Sequence, residues 1–179
     1  MIRLTFALAL SALLWTTDPS EAQTLLNDVE MAHVAVTASN IDIAYAHLAL
    51  ALSQNDDVRA FAEIMIRDHS AVNAQVVALA KALNVTAKDN AVSQQLIRDA
   101  TSITSELTRL RGAAFDAFYV RNELAYHRAV NTLVADTFIP NSANADVKRA
   151  FQSALPIFRG HERHAGQLAS RLTPGMGGR

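Results

Sequence analysis

The sequence predicts an all-α fold, and three observations carry that prediction. No glycine or proline occurs between Ser20 and Arg111, whereas the tight turns of sheets rely on Gly, Asn-Gly or Pro. Alanine and leucine, the strongest helix formers, are abundant. Apolar residues recur every three or four positions in four long segments, the period of a helix packed on one side. Half of the 179 residues are hydrophobic and 18% are charged. That is enough apolar material for a buried core and too little charge for a disordered chain.

The N-terminus carries Arg3, an uncharged run from Leu4 to Trp15, and Ser20-Glu21-Ala22 before Gln23. This is the pattern of a secretory signal peptide, and the run is short for a bilayer crossing; an uncleaved membrane anchor is the alternative. The expected organisation is a signal peptide over 1–22, a helical bundle over 23–172 and a flexible tail over 173–179. No second apolar run of 18 or more is read in the chain, so no transmembrane segment is expected after cleavage. The expected location is the periplasm or the extracellular space, and the absence of cysteine excludes disulfides, thiolate metal sites and thiol catalysis. Losing Arg3, Asp18 and Glu21 leaves 15 basic and 15 acidic residues. A neutral chain without a basic stripe gives nucleic acid no field to follow, so no nucleic-acid partner is expected.

The first helix is expected from about Asp28 to Leu52, capped by Asn27 or Asp28, with an inward stripe of Val29, Ala32, Val36, Ile43, Ala46 and Leu50. The second starts from a cap at Asn55 or Asp56 and runs to about Leu83. Its stripe is Val58, Phe61, Met65, Asp68, Val72, Val76, Leu79 and Leu83. Asp68 sits on that stripe with His69 beside it, and spacing does not decide which of the two faces the core. Residues 84–111 are more polar and read as a crossover, with one or two shorter helices anchored by Ile97, Ile103, Leu107 and Leu110. The third long helix begins near Gly112 and ends before Pro140. One of its faces carries Asp116, Val120, Glu123 and His127, while Phe115, Phe118 and Tyr119 supply core bulk. The fourth runs from a cap near Asn144 to about Leu172, with a seam of Val147, Phe151, Ala154, Phe158, His161, Ala165, Leu168 and Leu172. Pro156 inside it predicts a kink. Two hairpins joined by a long crossover describe a ferritin-like four-helix bundle, with the crossover between helices 2 and 3. A right-angled array of five or six helices is the competing architecture.

Six histidines occur, at 33, 47, 69, 127, 161 and 164, among helix-borne carboxylates. A bundle gathers side chains from facing helices into one interior site, and imidazole with carboxylate suits iron, zinc or manganese. Counting residues from the hairpin turns puts Asp42 level with His69, and His161 level with Glu123. His127 falls a turn or two nearer its loop, an offset of roughly 9 Å at the helical rise. The di-metal signature of Glu-x-x-His on two helices is absent; Glu30 to His33 is its single occurrence. The candidate metal ligands are Asp42, His69, Asp116, His127 and His161, for a first-row transition metal ion. The alternative is a purely structural polar core, in which Asp68 and His69 pair with Tyr119 or with the carbonyl freed by Pro156. His33, His47 and His164 read as solvated helix-face residues. No catalytic residue is identified: the chain has no phosphate loop and no nucleophile elbow.

Val58-Arg59-Ala60-Phe61-Ala62 leading into Asp68-His69, with Asn73 one turn on, then Phe115-Asp116, Tyr119, His127, Leu155-Pro156 and His161, resemble the bacterial family called domain of unknown function 4142. The resemblance spans about residues 27–172. It implies an exported, ferritin-like protein of a family often labelled as outer membrane proteins, and it implies no activity. A helical chain cannot close the β-barrel that spans that membrane, so a peripheral or periplasmic place is expected instead. The family pattern usually has Glu in the first helix where Asp42 stands here; the shorter carboxylate keeps the charge and reaches less far. Two functions follow as expectations. One is an accessory or stress-related envelope protein whose polar core of Asp68, His69, Asp116, Tyr119, His127 and His161, with Asn73, specifies packing. The other is a metal-binding or redox protein using the His/carboxylate site. A third expectation is a surface interaction module, with a protein partner or a homodimer through the Ala-rich face of the first helix.

Overall fold

The computed structural model describes residues 26–172, so the expected leader and tail lie outside the described residues. Every described element is helical. The order is α1 (Asp28–Leu52), α2 (Asp56–Ala82), α3 (Ala91–Arg109), α4 (Gly112–Leu133), a π-helical stretch (Val134–Phe138), a single turn α5 (Ile139–Asn141) and α6 (Ala145–Leu172). The helix starts follow from asparagine chemistry. Asn27 accepts from the Val29 and Glu30 amides while the Glu30 carboxylate takes the Asn27 amide, a closed capping box. Asn55, Asn90 and Asn144 cap α2, α3 and α6 through their side-chain oxygens in the same way. At the end of α2, Asn84 takes a left-handed conformation at φ 53°. The Val85 amide then reaches the Ala80 carbonyl and the Asn84 amide that of Lys81, which stops the helix.

The connectivity is that of the expected bundle. α1 and α2 pack as one antiparallel hairpin and α4 and α6 as the other. α3 returns along the outside of α1 as the crossover, so that α1 also meets α4 and α2 also meets α6. One apolar cluster joins Tyr45, Phe61, Met65, Leu107, Phe115, Tyr119 and Leu168 around the end where α1 meets α2. A second joins Met31, Val34, Val134, Phe138, Phe151 and Leu155 at the opposite end. The functional side chains lie between the two.

Several expectations are corrected. The buried residues of α1 are Met31, Val34, Ala38, Ser39, Asp42, Tyr45, Ala46 and Ala49, so of the expected stripe only Ala46 is buried. Three helices pack on α1. A helix covered on most sides is apolar all round, and its periodicity names no single face. By length and composition α1 is also apolar enough to cross a membrane. It therefore departs from the expectation of no second apolar run. In this fold it is the most enclosed helix of the bundle, with Asp42 at its centre.

On α2 the inward position is His69, between Met65 and Val72, and Asp68 sits at the edge. The crossover forms one helix, with Leu107 fully buried and Ile97 exposed. α4 itself ends at Leu133, but the helical run it begins does not stop before Pro140. The Ile139 amide reaches back five residues to the Val134 carbonyl, and the π register carries the helical run through Pro140 to Asn141. α6 is helical throughout, Pro156 included. Pro156 is on its exposed side, where the carbonyl left without a donor meets water. All of the expected α6 seam is buried except Leu172, which is half-buried.

Candidate metal centre

Each of the four long helices contributes to one buried cluster midway along the bundle. α1 supplies Asp42, α2 His69, α4 Glu123 and His127, and α6 His161, all between 0% and 4% exposed. The placement follows from helical spacing. His69 continues the inward row Phe61–Met65, His127 the row Val120–Glu123, and His161 the row Ala154–Phe158.

Three donor atoms converge. His69 Nε2 lies 3.0 Å and His127 Nε2 3.3 Å from Asp42 Oδ2, and the two Nε2 atoms are 3.4 Å apart. A ring nitrogen of His161 lies within 4.8 Å of those of His69 and His127. The same limit holds for a carboxylate oxygen of Glu123 with Asp42 and His127.

The rings are held from outside. His127 Nδ1 is 3.0 Å from the Glu123 carbonyl oxygen of its own helix. A carbonyl only accepts, so Nδ1 carries the proton and Nε2 turns a lone pair inward. His69 Nδ1 meets Ser39 Oγ at 3.3 Å, and its ring stacks on Phe158 at 4.9 Å. His161 Nε2 is 2.9 Å from Asp68 Oδ2, and Asp68 is held in turn by Arg67 Nε at 2.7 Å. That leaves His161 Nδ1 buried and without a hydrogen-bond partner. A carboxylate behind an imidazole is the usual support of a metal-binding histidine.

The electrostatics separate the two buried carboxyls. Burial pushes the Asp42 carboxyl up, but the neighbouring His69, then His127 and His161, outweigh it and hold Asp42 below the ordinary carboxylate value. Burial, followed by the Asp42 charge, pushes Glu123 well above its ordinary value. Asp42 is therefore the carboxyl that ionises readily and Glu123 the one that keeps its proton to higher pH. Burial lowers His127, against the pull of Asp42. Burial also lowers His161, to about 4, against its hydrogen bond with Asp68.

Among the described residues, neither oxygen of Asp42, neither oxygen of Glu123, nor the Tyr119 hydroxyl has an aligned hydrogen-bond partner, although His69 Nε2 stands 3.0 Å from Asp42 Oδ2. A structural polar core calls for well-aligned pairs throughout, and these groups are not all paired in that way. His127 presents a lone pair to a carboxylate at 3.3 Å. One proton on His69 Nε2 relieves part of that repulsion, and a cation among the three atoms relieves all of it. A tetrahedral ion with ligand bonds of 2.0–2.1 Å has donor–donor edges of about 3.3 Å. The separations of 3.0, 3.3 and 3.4 Å fit one face of such a polyhedron.

Of the sequence-expected site residues, Asp42, His69, His127 and His161 are brought together and Asp116 is not. Asp116 lies about 16 Å from His127 along α4. There it accepts from the Ser53 hydroxyl at 2.5 Å and ties the start of α4 to the end of α1. Asn73 is half-buried in the first hairpin, donating to Asn40 at 2.8 Å. Tyr119 is fully buried but stacks on Phe115 and meets Phe61 edge-on, and it pairs with neither Asp68 nor His69. His127 is level with His161, their rings 5.2 Å apart. Glu123 was not among the expected ligands, although its place four residues before His127 on the polar face was a signal for it. His33 bonds to Ser93 at 2.8 Å and His164 meets the edge of Phe61 at 5.0 Å, both away from the cluster.

A cavity of about 800 Å³ adjoins the centre. His69, His127 and Tyr126 are part of its lining, which reaches Tyr45 and Ile103 on one side and extends between the helices toward Asn27 and Asn144 at the end of the bundle on the other.

Neither the curated proteins nor the solved structures contain a match to this chain. A family model does match, over residues 15–168, and includes all four helices that build the buried cluster. The chain belongs to the family described as Domain of unknown function (DUF4142).

Proposed function

We propose that this protein is an exported, metal-binding helical bundle of the bacterial envelope. His69, His127 and Asp42 hold one first-row divalent ion, His161 completes the set, and Glu123 stands beside it. The observation that carries the reading is the convergence of two imidazole nitrogens and one carboxylate oxygen, 3.0–3.4 Å apart, inside a core that leaves them without aligned hydrogen bonds. The donor set of imidazole and carboxylate without thiolate suits zinc, iron(II) or manganese(II). The leader pattern of residues 1–22 supports export, and an accessory role in the envelope accompanies it. Within the site the chain's own groups divide the work. Asp42 supplies the compensating charge, Asp68 and the Glu123 carbonyl fix the orientation of His161 and His127, and Glu123 holds a proton that it can give up.

The test is elemental analysis of the chain produced in a periplasm and purified without chelator or nickel resin. About one equivalent of zinc, iron or manganese per chain, lost in His127→Gln with the helical circular dichroism intact, is the expected result. Absence of any ion, with no uptake on titration and an unchanged melting temperature, overturns the reading.

A further inference from the structure

The cavity beside the centre is large for a bundle of this size and has a defined chemistry. Its 800 Å³ falls within the range of sites that enclose a whole small molecule. The wall between its ends is aliphatic and aromatic, with Val34, Leu79, Val130, Val134, Phe151 and Phe158 among its residues. The π-helical stretch contributes Val134 and Phe138 to that wall. Such single π turns re-aim side chains and concentrate at functional sites. Of its polar groups, Asn27, Asp28 and Asn144 stand at the outer end and Ser39, His69, His127 and Tyr126 farther in, and the lining continues past these to Tyr45 and Asn122. The outer groups are engaged with one another, since Asp28 accepts from the Ala143 and Asn144 amides and Asn27 caps α1. The histidines retain open donors. Along α1, from Ser39 to Asp28, the stretch of the cavity between the histidines and the outer end is about 16 Å long. That is close to the length of an extended dodecyl chain.

The geometry points to a ligand that is a single unbranched alkyl chain with one oxygen-bearing end, a fatty acid or fatty alcohol, lying along the cavity with that end at His69 and His127. Chain binding rests on the cavity alone. The placement of the oxygen end rests on the metal reading, so the two are measured separately.

Dodecanoate and dodecanol are first titrated into the metal-free full chain, below their aggregation limits, and bound chain is counted after gel filtration. About one chain per protein is expected, with a raised melting temperature and a weakening of about fourfold for each methylene removed. Ala154→Phe and Leu79→Trp fill the cavity from α6 and α2 respectively. Each is expected to lower chain affinity at least tenfold while leaving zinc uptake at the wild-type level. Two different walls are used so that misfolding of one variant does not decide the result. No retained chain, affinity independent of chain length, or full binding by folded versions of both variants overturns the proposal. The cobalt(II)-loaded chain is then titrated with dodecanoate. A change in the visible ligand-field spectrum supports the placement of the oxygen end, and chain binding without one overturns that placement. If cobalt does not bind at all while dodecanoate does, the metal reading fails and the cavity assignment stands.

Discussion

Protonation of His161 should unfold the metal-free protein by a predictable amount. The ring is buried against His69, Phe158 and His127, with one nitrogen on Asp68 and the other without a partner. Burial moves its pKa from the ordinary 6.5 to about 4 in the folded chain. The unfolded chain therefore takes up the proton first as pH falls. The stability that the neutral ring contributes is complete above pH 6.5, declines between 6.5 and 4, and is gone below 4. A shift of that size corresponds to about 3 kcal/mol over the whole window. Two-thirds of it is already lost near pH 5. Burial lowers His127 and destabilises in the same direction, and Asp42 adds its own loss further down, as pH falls through its lowered pKa. Glu123 acts oppositely: with its pKa raised in the folded state, it loses stability as pH rises. A comparison isolates His161 from the others. Urea unfolding of the chelator-treated chain at pH 7.5 and pH 5 should show wild type losing about 2 kcal/mol more than His161→Gln between the two conditions. Equal losses in the two proteins would refute the claim that a neutral, buried His161 is part of the folded core.

Three further perturbations separate the centre from its surroundings. Asp68→Asn, which touches the centre only through His161, should weaken zinc binding by about 10–100-fold without changing the fold, read by competition with a chromogenic chelator. Zinc added at pH 7 in dilute buffer should release about one more proton from wild type than from Glu123→Gln, because the protonated Glu123 must ionise beside the ion; equal release would place the Glu123 proton elsewhere. Ser53→Ala leaves the buried Asp116 without its hydroxyl donor. It should lower stability by about 1–3 kcal/mol in denaturant titration while zinc uptake stays at the wild-type level.

The fold was legible because its signals are local. Asn27, Asn55 and Asn144 are caps placed just before apolar periods, and the α6 seam alternates steps of three and four with a polar opposite face. The site was less legible because a periodic pattern specifies a face and not a height along the helix. Asp116, Glu123 and His127 share one face of α4, yet Asp116 sits three turns from His127 and serves the joint between α1 and α4. Asp68 and His69 are neighbours about 100° apart on the helix. Apolar residues on both sides of that boundary admit either as the inward one, and only packing against α1 and α6 chooses His69. The stripe of α1 was misread for a further reason. With three helices packed around it, almost every position of α1 tolerates an apolar residue, and the polar Asp42 is then the informative position.

A proline inside a helix ordinarily ends or kinks it. The π turn over Val134–Phe138 instead absorbs the residue with no N–H to donate, and the helical run continues to Asn141. The same turn presents Val134 and Phe138 inward, where they line the cavity that also reaches His127. A π turn is one residue longer than an α turn, so deleting one residue within 134–138 would join the two flanking segments by regular α-helix with little change in their relative rotation. Such a chain keeps His127 in the centre and loses the wall that the π turn supplies. Wild-type zinc uptake with weakened dodecanoate binding is the expected outcome. Loss of bound zinc in a variant that still unfolds cooperatively would show instead that the π turn sets the position of His127.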